Sequence, residues 1–384
     1  MTIYLDHAAT TPVDPGVLAA MLPYLQAEHG NPSSAHRAGR AARAAVEHAR
    51  EQVATALGVA PLDVVFTSGG TESDNAAIKG IAWAARAAGR GNHLVTTAIE
   101  HHAVLETAEW LAEQQGFELT VVPVTTDGIV EVDRLLDAVR DDTVLVSVMA
   151  ANNEIGTLQP LDVIGPALAR RQVPLHTDAV QAFGRTHLDI TGWSLGAVSL
   201  SAHKINGPKG VGVWVQARDL PVQSLLHGGG QERGIRSGTF NAAGIVGCGA
   251  AVELAAQTMT TEVPRLRWLR DRLLSGLLAV DGIGLNGHAE RRLPHNANVA
   301  VDRCNGEALL FALDMAGVAV SAGSACQSGA TAASHVLAGI DAPADKAHVR
   351  MTCGRSTTQA DIDTAVEVFG DCVKRLRDAG GGYL

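Results

Sequence analysis

The stretch Ser199-Leu200-Ser201-Ala202-His203-Lys204-Ile205-Asn206-Gly207-Pro208-Lys209-Gly210 follows an apolar run and closes in a turn rich in glycine and proline. It places Lys204 beside an imidazole and a hydroxyl group. Upstream, the stretch His176-Thr177-Asp178-Ala179-Val180-Gln181 puts an acid, Asp178, at the end of a second apolar run. Functional side chains gather where the strands of a parallel sheet end, so we expect Lys204 and Asp178 to meet there.

Lys204 and Asp178 together indicate a kind of chemistry. A lysine that forms an imine and an acid that holds a pyridinium nitrogen are the two protein groups that pyridoxal phosphate chemistry needs most. An arginine could also be the partner of Asp178, because a buried carboxylate needs a cation. Gln181 could hydrogen-bond the oxygen on a cofactor ring. Lys204 is one of five lysines in the chain, and the alternative for it is a surface lysine at a turn.

Apolar runs rich in β-formers alternate with helical patterns on both sides of these stretches. Continuous apolar strands separated by helices predict an α/β protein with a mainly parallel sheet that is covered on both faces. The predicted strands are Val64 to Thr67, His93 to Thr97, Phe117 to Val122, Thr143 to Met149, Val173 to Thr177, Ala197 to Leu200 and Val211 to Val215. Helices are predicted over Thr71 to Ala88 and after His102.

The pattern changes near Thr261. A long helix from about Thr261 to Leu278 precedes a strand at Asn298 to Val301, a helix from Glu307, a short strand and a last helix from about Gln359. We therefore expect residues 15–260 to form a large domain. Residues 1–14 and 261–384 are expected to form a smaller α+β domain.

Bulk composition excludes several classes of protein. The 384 residues are 46% hydrophobic and 18% charged, which suits a globular protein with one large core and a smaller one. The net charge of −10 argues against general binding of nucleic acids or membrane surfaces. Neither a secretion signal nor an apolar run of about 20 residues is visible, so no membrane association is expected. The cysteines are odd in number and form no C-x-x-C pair, which argues against disulfides or a metal site and favours the cytoplasm.

Two loops that follow strands carry further candidate residues. Gly70 and Thr71 lie between a strand and a helix, where free N–H groups can bind a phosphate, although an ordinary turn has the same pattern. His101 follows the next strand and could stack on a flat ring and take part in proton transfer. A structural histidine is the alternative there.

Cys326 lies in a segment of small residues that begins at Ser321. Buried structural cysteines usually lie in apolar runs, so this setting predicts an exposed nucleophile, with an incidental loop cysteine as the alternative. Arg350 lies on a predicted strand and could clamp a carboxylate with both of its outer nitrogens. Cys353 would face the other way and is expected to pack in the core.

The sequence resembles the cysteine desulfurases of the nitrogen-fixation and iron–sulfur-cluster type, within the class V aminotransferases, nearly end to end. The segment from Ser321 to Cys326 resembles the long-loop subgroup. The motifs that carry the resemblance are Tyr4-Leu5-Asp6-His7-Ala8-Ala9-Thr10-Thr11-Pro12, Gly30-Asn31-Pro32, Thr67-Ser68-Gly69-Gly70-Thr71-Glu72-Ser73-Asp74-Asn75, Asn152-Asn153-Glu154-Ile155-Gly156, His203-Lys204, Gly228-Gly229-Gly230-Gln231-Glu232 and Arg236-Ser237-Gly238-Thr239. Asn206 and His295 depart from it, at positions where tyrosine and asparagine are frequent.

This resemblance implies the fold of a pyridoxal-phosphate-dependent transferase and a role for each candidate residue. Lys204 would form the imine with pyridoxal 5'-phosphate, Asp178 would hold the ring nitrogen and Cys326 would attack the substrate sulfur. The other implied cofactor contacts are His101 stacked on the ring, Gln181 at its phenolic oxygen, and Gly70, Thr71, Ser201, His203 and, from the second subunit of a homodimer, Thr239 at the phosphate. The implied contacts to the carboxylate of L-cysteine are Asn31, Asn153 and Arg350.

The expected reaction converts L-cysteine into L-alanine and a persulfide on Cys326, which passes sulfur to an acceptor protein. Iron–sulfur cluster assembly, tRNA thiolation, cofactor sulfuration and DNA phosphorothioation all remain open as destinations. The rival interpretations are an aminotransferase or a selenocysteine lyase of the same fold, and a non-catalytic binding protein. The cysteine argues against an aminotransferase, and the intact set of Lys204, Asp178 and Cys326 argues against a binding protein.

Overall fold

The computed structural model describes residues 2–322 and 334–380. In chain order the first elements are β1 (Ile3–Tyr4), α1 (Pro15–Gln26), α2 (Arg37–Leu57), β2 (Val64–Thr67), α3 (Gly70–Ala87), β3 (His93–Thr97), α4 (His102–Gln115), β4 (Glu118–Val122), α5 (Val132–Asp137), β5 (Thr143–Ser147), α6 (Leu161–Arg170), β6 (Leu175–Asp178), β7 (Leu195–Ser201) and β8 (Gly212–Gln216). They are followed by α7 (Ala242–Leu278), β9 (Ile283–Leu285), β10 (Asn296–Val301), α8 (Gly306–Met315), β11 (Val318–Ala319), α9 (His335–Gly339), β12 (Ala347–Thr352) and α10 (Gln359–Asp378).

Seven strands form the main sheet in the order β2-β8-β7-β6-β5-β3-β4. The five strands from β7 to β4 run parallel, whereas β8 is antiparallel to both β7 and β2. Parallel neighbours need crossover connections. Helices α4 and α6 lie in the connections from β3 to β4 and from β5 to β6, whereas the described residues 179–194, between β6 and β7, contain no α-helix. The predicted fold class, α/β with a mainly parallel sheet, is confirmed. Each strand predicted for this sheet is present, β2 and β3 with the predicted bounds and the others with ends that differ by at most two residues.

Helices cover both faces of this sheet. Successive residues on a strand point to opposite faces. Val64 and Phe66 accordingly pack in an apolar cluster with α2, whereas Val65 packs in another with α3. The same division separates Leu94 from Val95. The strands are apolar without interruption because both of their faces are buried.

A separate apolar cluster surrounds the smaller sheets. Strands β12-β10-β9 are antiparallel, and β1 pairs with β11 in parallel, which joins the N-terminal segment to this part of the chain. The second half of α7 packs there with α8 and α10 through residues such as Leu273, Leu309 and Phe369. This cluster supports the predicted smaller α+β domain; its boundaries stay a prediction.

Helix α7 differs from its prediction because it begins at Ala242 rather than near Thr261. Its first half is rich in alanine and glycine, and buries Gly244, Gly247 and Gly249 against neighbouring elements. Small residues give little helical periodicity, and Pro264 inside the helix resembles the proline of a helix start. For these two reasons, the start of α7 was predicted about 19 residues too far toward the C-terminus.

Within the described residues, α7 is also the one helix that is long and apolar enough, by length and composition, to cross a membrane. The expectation that no apolar stretch approaches this length therefore has an exception. A core helix of a globular protein meets the same criteria. Although only 44% of its most apolar window is buried inside the protein, the helix contributes residues to both large apolar clusters, and for that reason we interpret it as a core helix.

Candidate active site

A cavity of about 270 Å³ lies where β3, β6 and β7 end. Many of the polar residues that line it lie at the ends of these strands or in the loops that follow, as expected for a parallel sheet, whereas Thr71 comes from α3 and Arg350 from β12. Ten residues predicted from the sequence line this cavity together: Gly70, Thr71, His101, Asn153, Asp178, Gln181, Ser201, His203, Lys204 and Arg350.

Three other predicted site residues do not line it. Asn31 is exposed, and its side-chain oxygen accepts a hydrogen bond from Ser33 N at 2.9 Å. Thr239 is exposed as well, in agreement with a role toward a second copy of the chain. Cys326 lies outside the described residues. The roles given to these three residues stay predictions.

Lys204 ends a single 3-10 turn, Ala202–Lys204, directly after β7. Its Nζ donates hydrogen bonds to the carbonyl oxygens of Ala8 at 2.6 Å and Ala9 at 2.8 Å. The N-terminal segment therefore forms one wall of the cavity and orients the lysine. Arg185, which is buried, donates to the carbonyl oxygen of Lys204 and holds the turn from behind.

Asp178 is the last residue of β6 and is 7% exposed. Its Oδ1 accepts a hydrogen bond from Val180 N at 2.8 Å. Burial raises the pKa of this carboxyl to about 6, against the opposing effects of that hydrogen bond and of the charge on Lys204. Asp178 is therefore anionic at neutral pH, and the positive charge that acts on it is that of Lys204, which lines the same cavity.

Gln181 reaches the cavity from the loop after Asp178. Its Nε2 donates to the Ala8 carbonyl oxygen at 2.9 Å, whereas its buried Oε1 has no hydrogen-bond partner in the protein. Buried polar atoms are rarely left unsatisfied, so an orphaned oxygen beside a cavity indicates that a ligand or water completes it. Gln181 thus fits a site that holds a polar ligand.

His101 caps the N-terminus of α4. Its Nδ1 accepts a hydrogen bond from Ala103 N at 3.1 Å. Burial, followed by the charge on Lys204, lowers the pKa of His101 to about 4. The imidazole is consequently neutral at physiological pH, and with Nδ1 as the acceptor its proton lies on Nε2.

Gly70 opens α3 without any side-chain cap, which leaves the first N–H groups of the helix available to an anion. A second cavity, of about 340 Å³, lies in front of this helix end and shares Gly70, Thr71, Ser201 and His203 with the first. These four are the residues predicted to bind a phosphate within one chain. Close packing of the loop depends on Gly212 of β8, where an added Cβ would lie 2.5 Å from Gly69 C.

Arg350, on β12, is 2% exposed. Its Nη2 pairs with Asp6 Oδ1 at 2.8 Å, and its Nη1 donates to the carbonyl oxygen of Asn153 at 3.0 Å. The backbone of Arg350 also exchanges two hydrogen bonds with Ser321, at the start of the cysteine segment. Arg350 thus connects the cavity to that segment.

All four cysteines among the described residues are buried: Cys248, Cys304, Cys353 and Cys372. Burial raises the pKa of both the Cys248 and the Cys353 thiols to about 12. Such thiols carry almost no thiolate at neutral pH and are poor nucleophiles. The prediction that Cys353 packs in the core is in agreement with its 1% exposure.

Sequence reasoning missed Asp74, the fifth residue of α3, which also lines the cavity. The available signal was its position three residues after Thr71, on the same helix face. One ligand atom each from Asp74, His101 and Asp178 lies within 4.8 Å of the others, a spacing that a metal ion could use. The charge of Lys204 acts on Asp178 and disfavours a second cation there.

The residues present fit pyridoxal phosphate. An anionic Asp178 suits a protonated ring nitrogen, the uncapped helix suits a phosphate, and the orphaned Gln181 oxygen indicates a polar ligand. Lys204 lies within the same cavity as these groups.

Known proteins share this chain's sequence and fold over almost its whole length. Residues 3–365 match the family described as aminotransferase class-V. A cysteine desulfurase IscS from Methanosarcina thermophila is 46% identical over 98% of this chain and 93% of its own length. A cysteine desulfurase IscS from Clostridium botulinum is 45% identical over 98% of this chain and 95% of its own. A solved NifS-like protein superposes with a TM-score of 0.92 at 36% identity, over 98% of this chain and 100% of its own.

Proposed function

The chain belongs to the cysteine desulfurases of the class-V aminotransferase family, which depend on pyridoxal phosphate, and we propose that Lys204, His101 and Cys326 carry its conversion of L-cysteine into L-alanine and a persulfide. The observation that carries this proposal is the single cavity that brings Lys204, Asp178 and His101 together beside an uncapped helix.

The chain's own residues account for binding of the cofactor. When bound, pyridoxal phosphate withdraws electrons from the substrate carbons next to the amine and so makes the Cα proton and the Cβ–sulfur bond labile. Asp178 would hold the ring nitrogen, Gln181 would contact the phenolic oxygen and Lys204 would supply the covalent attachment. The remaining proposed contacts are those to the phosphate. Within one chain they would come from Gly70, Thr71, Ser201 and His203, and a second copy would add Thr239.

Proton transfer falls to Lys204 and His101. The Nζ of Lys204 is held by two backbone carbonyls and is assigned the proton at the substrate Cα. His101 is neutral and carries its proton on Nε2, so Nε2 would act as a donor toward a bound ligand and the ring would support the flat cofactor. A neutral imidazole also adds no positive charge that would compete with Lys204 for Asp178.

Asn31, Asn153 and Arg350 are proposed to bind the substrate carboxylate. Arg350 is a buried guanidinium with its ion pair to Asp6 at 2.8 Å and lines the cavity. A buried guanidinium binds a carboxylate more strongly than an exposed one, because water does not compete. The hydrogen bond from Arg350 to the Asn153 carbonyl holds two of the three proposed carboxylate ligands together.

Cys326 is proposed to be the nucleophile. Its thiolate attacks the substrate Sγ, so that a sulfur–sulfur bond forms and the Cβ–Sγ bond breaks. The electron pair of the broken bond goes to Cβ, which takes a proton to give alanine. The thiols of Cys248 and Cys353 are too buried to compete. Ser321 is anchored to Arg350, and five residues of chain span at most about 17 Å, which supports access of Cys326 to the cavity.

The test is a comparison of Cys326→Ser with the control Cys353→Ser. A serine hydroxyl is a poor nucleophile at neutral pH, so we expect Cys326→Ser to release almost no alanine while it still binds cofactor and L-cysteine. Cys353→Ser should keep alanine production. Mass spectrometry should find the persulfide on Cys326. Near-normal alanine release from Cys326→Ser, or a persulfide on Cys353, would exclude the assignment.

The protein is further proposed to work as a cytoplasmic homodimer that passes sulfur to an acceptor protein, for iron–sulfur cluster assembly or thiolation. Thr239 is exposed in one chain, as a contact to a second copy requires. Leu18, Leu22 and Leu25 form an exposed apolar stripe on α1 with helical spacing, which supports burial against that copy. Free cysteines in the described part of the chain support a reducing compartment.

A further inference from the structure

Asp74 is a buried acid for which the proposed reaction has no use so far. It is the fifth residue of α3, lines the cavity and is 1% exposed. Its Oδ1 has no hydrogen-bond partner in the protein. An unsatisfied carboxyl oxygen of this kind is costly in an apolar interior, so its presence beside a ligand cavity needs an explanation.

The groups behind Asp74, on strands β5 to β7, are neutral. Behind it, His176 Nε2 lies 3.6 Å from Asp74 Oδ1, and that imidazole is held between Ser147 Oγ at 2.8 Å and Ser199 Oγ at 3.0 Å. Burial lowers the pKa of His176 to about 3, so it supplies no charge. The Ser199 hydroxyl hydrogen-bonds to the Asp74 carboxyl.

The groups that face Asp74 from other elements are acids or belong to the cavity. Asp178 and His101 each place an atom within 4.8 Å of its carboxyl. Glu100 lies in the loop before α4, fully buried, and burial raises its pKa to about 8. The charge of Lys204 lowers the pKa of Asp178 and also that of His101.

Two carboxyls so close in a buried site do not both ionise, because each charge opposes the other. Asp178 has the Val180 N–H and the nearby Lys204 to stabilise its anion. Asp74 has only a hydroxyl group, which serves a neutral acid equally well. Burial, followed by the nearby charge of Asp178, raises the pKa of Asp74 well above its ordinary value.

We propose that Asp74 is a positioning residue that keeps its proton at neutral pH, so that the single negative charge of the pair lies on Asp178, at the ring nitrogen of the cofactor. A neutral Asp74 fills the space next to Asp178 with a polar group without adding a second anion. This inference rests on the proposed function, because it assigns a partner to the acid that binds the cofactor.

The first test uses the apoprotein and needs no turnover. Protein labelled with ¹³C only in aspartate is studied by infrared spectroscopy at pH 8, where exposed aspartates are ionised. The label separates Asp74 from the protonated Glu100. We expect a protonated-carboxyl band in the wild type and in Asp162→Asn, a control in the first turn of α6, and no such band in Asp74→Asn. A wild type without the band would overturn the inference.

The second test is cofactor affinity, measured by fluorescence titration of apoprotein with pyridoxal phosphate. Asp74→Asn keeps a neutral polar group of the same shape, so its dissociation constant should stay within about threefold of wild type; Asp74→Ala should bind about tenfold more weakly. Equal losses in both variants would show that the carboxylate itself is needed and would overturn the inference. Absence of alanine production by the wild type would instead refute the proposed function, and both measurements here would stand.

Discussion

At the scale of single residues, the candidate site combines an acid, a lysine and two neutral histidines. Asp178 is anionic and Lys204 lies in the same cavity, whereas burial keeps His101 and His203 neutral by lowering the pKa of each to about 4. Extra positive charge on either imidazole would compete for Asp178 and for an incoming phosphate. The buried histidines therefore leave the charged roles to Lys204 and the helix end.

The assignment of Lys204 leads to a direct chemical prediction. Borohydride reduction of the holoenzyme followed by peptide mapping should find the cofactor on Lys204. Lys204→Ala should lose that attachment and turnover, although cofactor can still bind at the start of α3, because the phosphate contacts are intact. The exposed Lys374→Ala on α10 is the control and should keep both properties. Attachment found on Lys79 or Lys209 would contradict the assignment.

At the scale of elements, two helix starts are built differently. α3 begins without a side-chain cap and opens onto the cavity. α10 begins with a reciprocal cap: Asp361 N donates to Thr358 Oγ1 at 3.2 Å, and Thr358 N donates to Asp361 Oδ2 at 2.8 Å. Satisfied N–H groups stabilise a helix, whereas unsatisfied ones can bind an anion. The start of α10 is thus satisfied within the chain, whereas the start of α3 suits the proposed phosphate site.

The cap of α10 can be tested by substitution. Thr358→Ala removes the acceptor for Asp361 N and should lower the free energy of unfolding by about 1 kcal/mol, as measured by urea denaturation. Thr261→Ala is the matched control, because Thr261 is exposed inside α7 and alanine favours a helix interior. We expect no loss of stability there. If Thr358→Ala were as stable as the control, the cap would contribute nothing.

At the scale of the whole molecule, the proposed dimer combines residues of two chains in one site. A mixture of Lys204→Ala and Thr239→Ala proteins that exchange subunits should recover activity. Each mixed dimer then contains one site with both Lys204 and Thr239, and equal mixing should restore about a quarter of wild-type activity. Alanine release before and after exchange is the measurement, and each variant alone is the control. A fully active monomer in sedimentation would contradict a composite site.

The sequence by itself determined the seven strands of the main sheet, half of the α-helices in the described part of the chain and ten of the residues that line the cavity; α1, α2, α5, α6 and α9 were not predicted. Apolar runs report burial on both faces of a sheet, and polar residues at their ends report an edge where ligands bind, so local patterns carried Asp178, His101 and Lys204. The start of α7 was wrong because alanine and glycine pack closely without leaving an apolar stripe.

Only the tertiary structure decided which groups meet across the cavity and in what state of charge. The carbonyls of Ala8 and Ala9, which orient Lys204, lie 196 and 195 residues away along the chain. Asp74 became part of the site because α3 packs over β6, next to Asp178. A pKa depends on burial and on neighbours in space, and neither quantity is encoded in the spacing of residues along the chain.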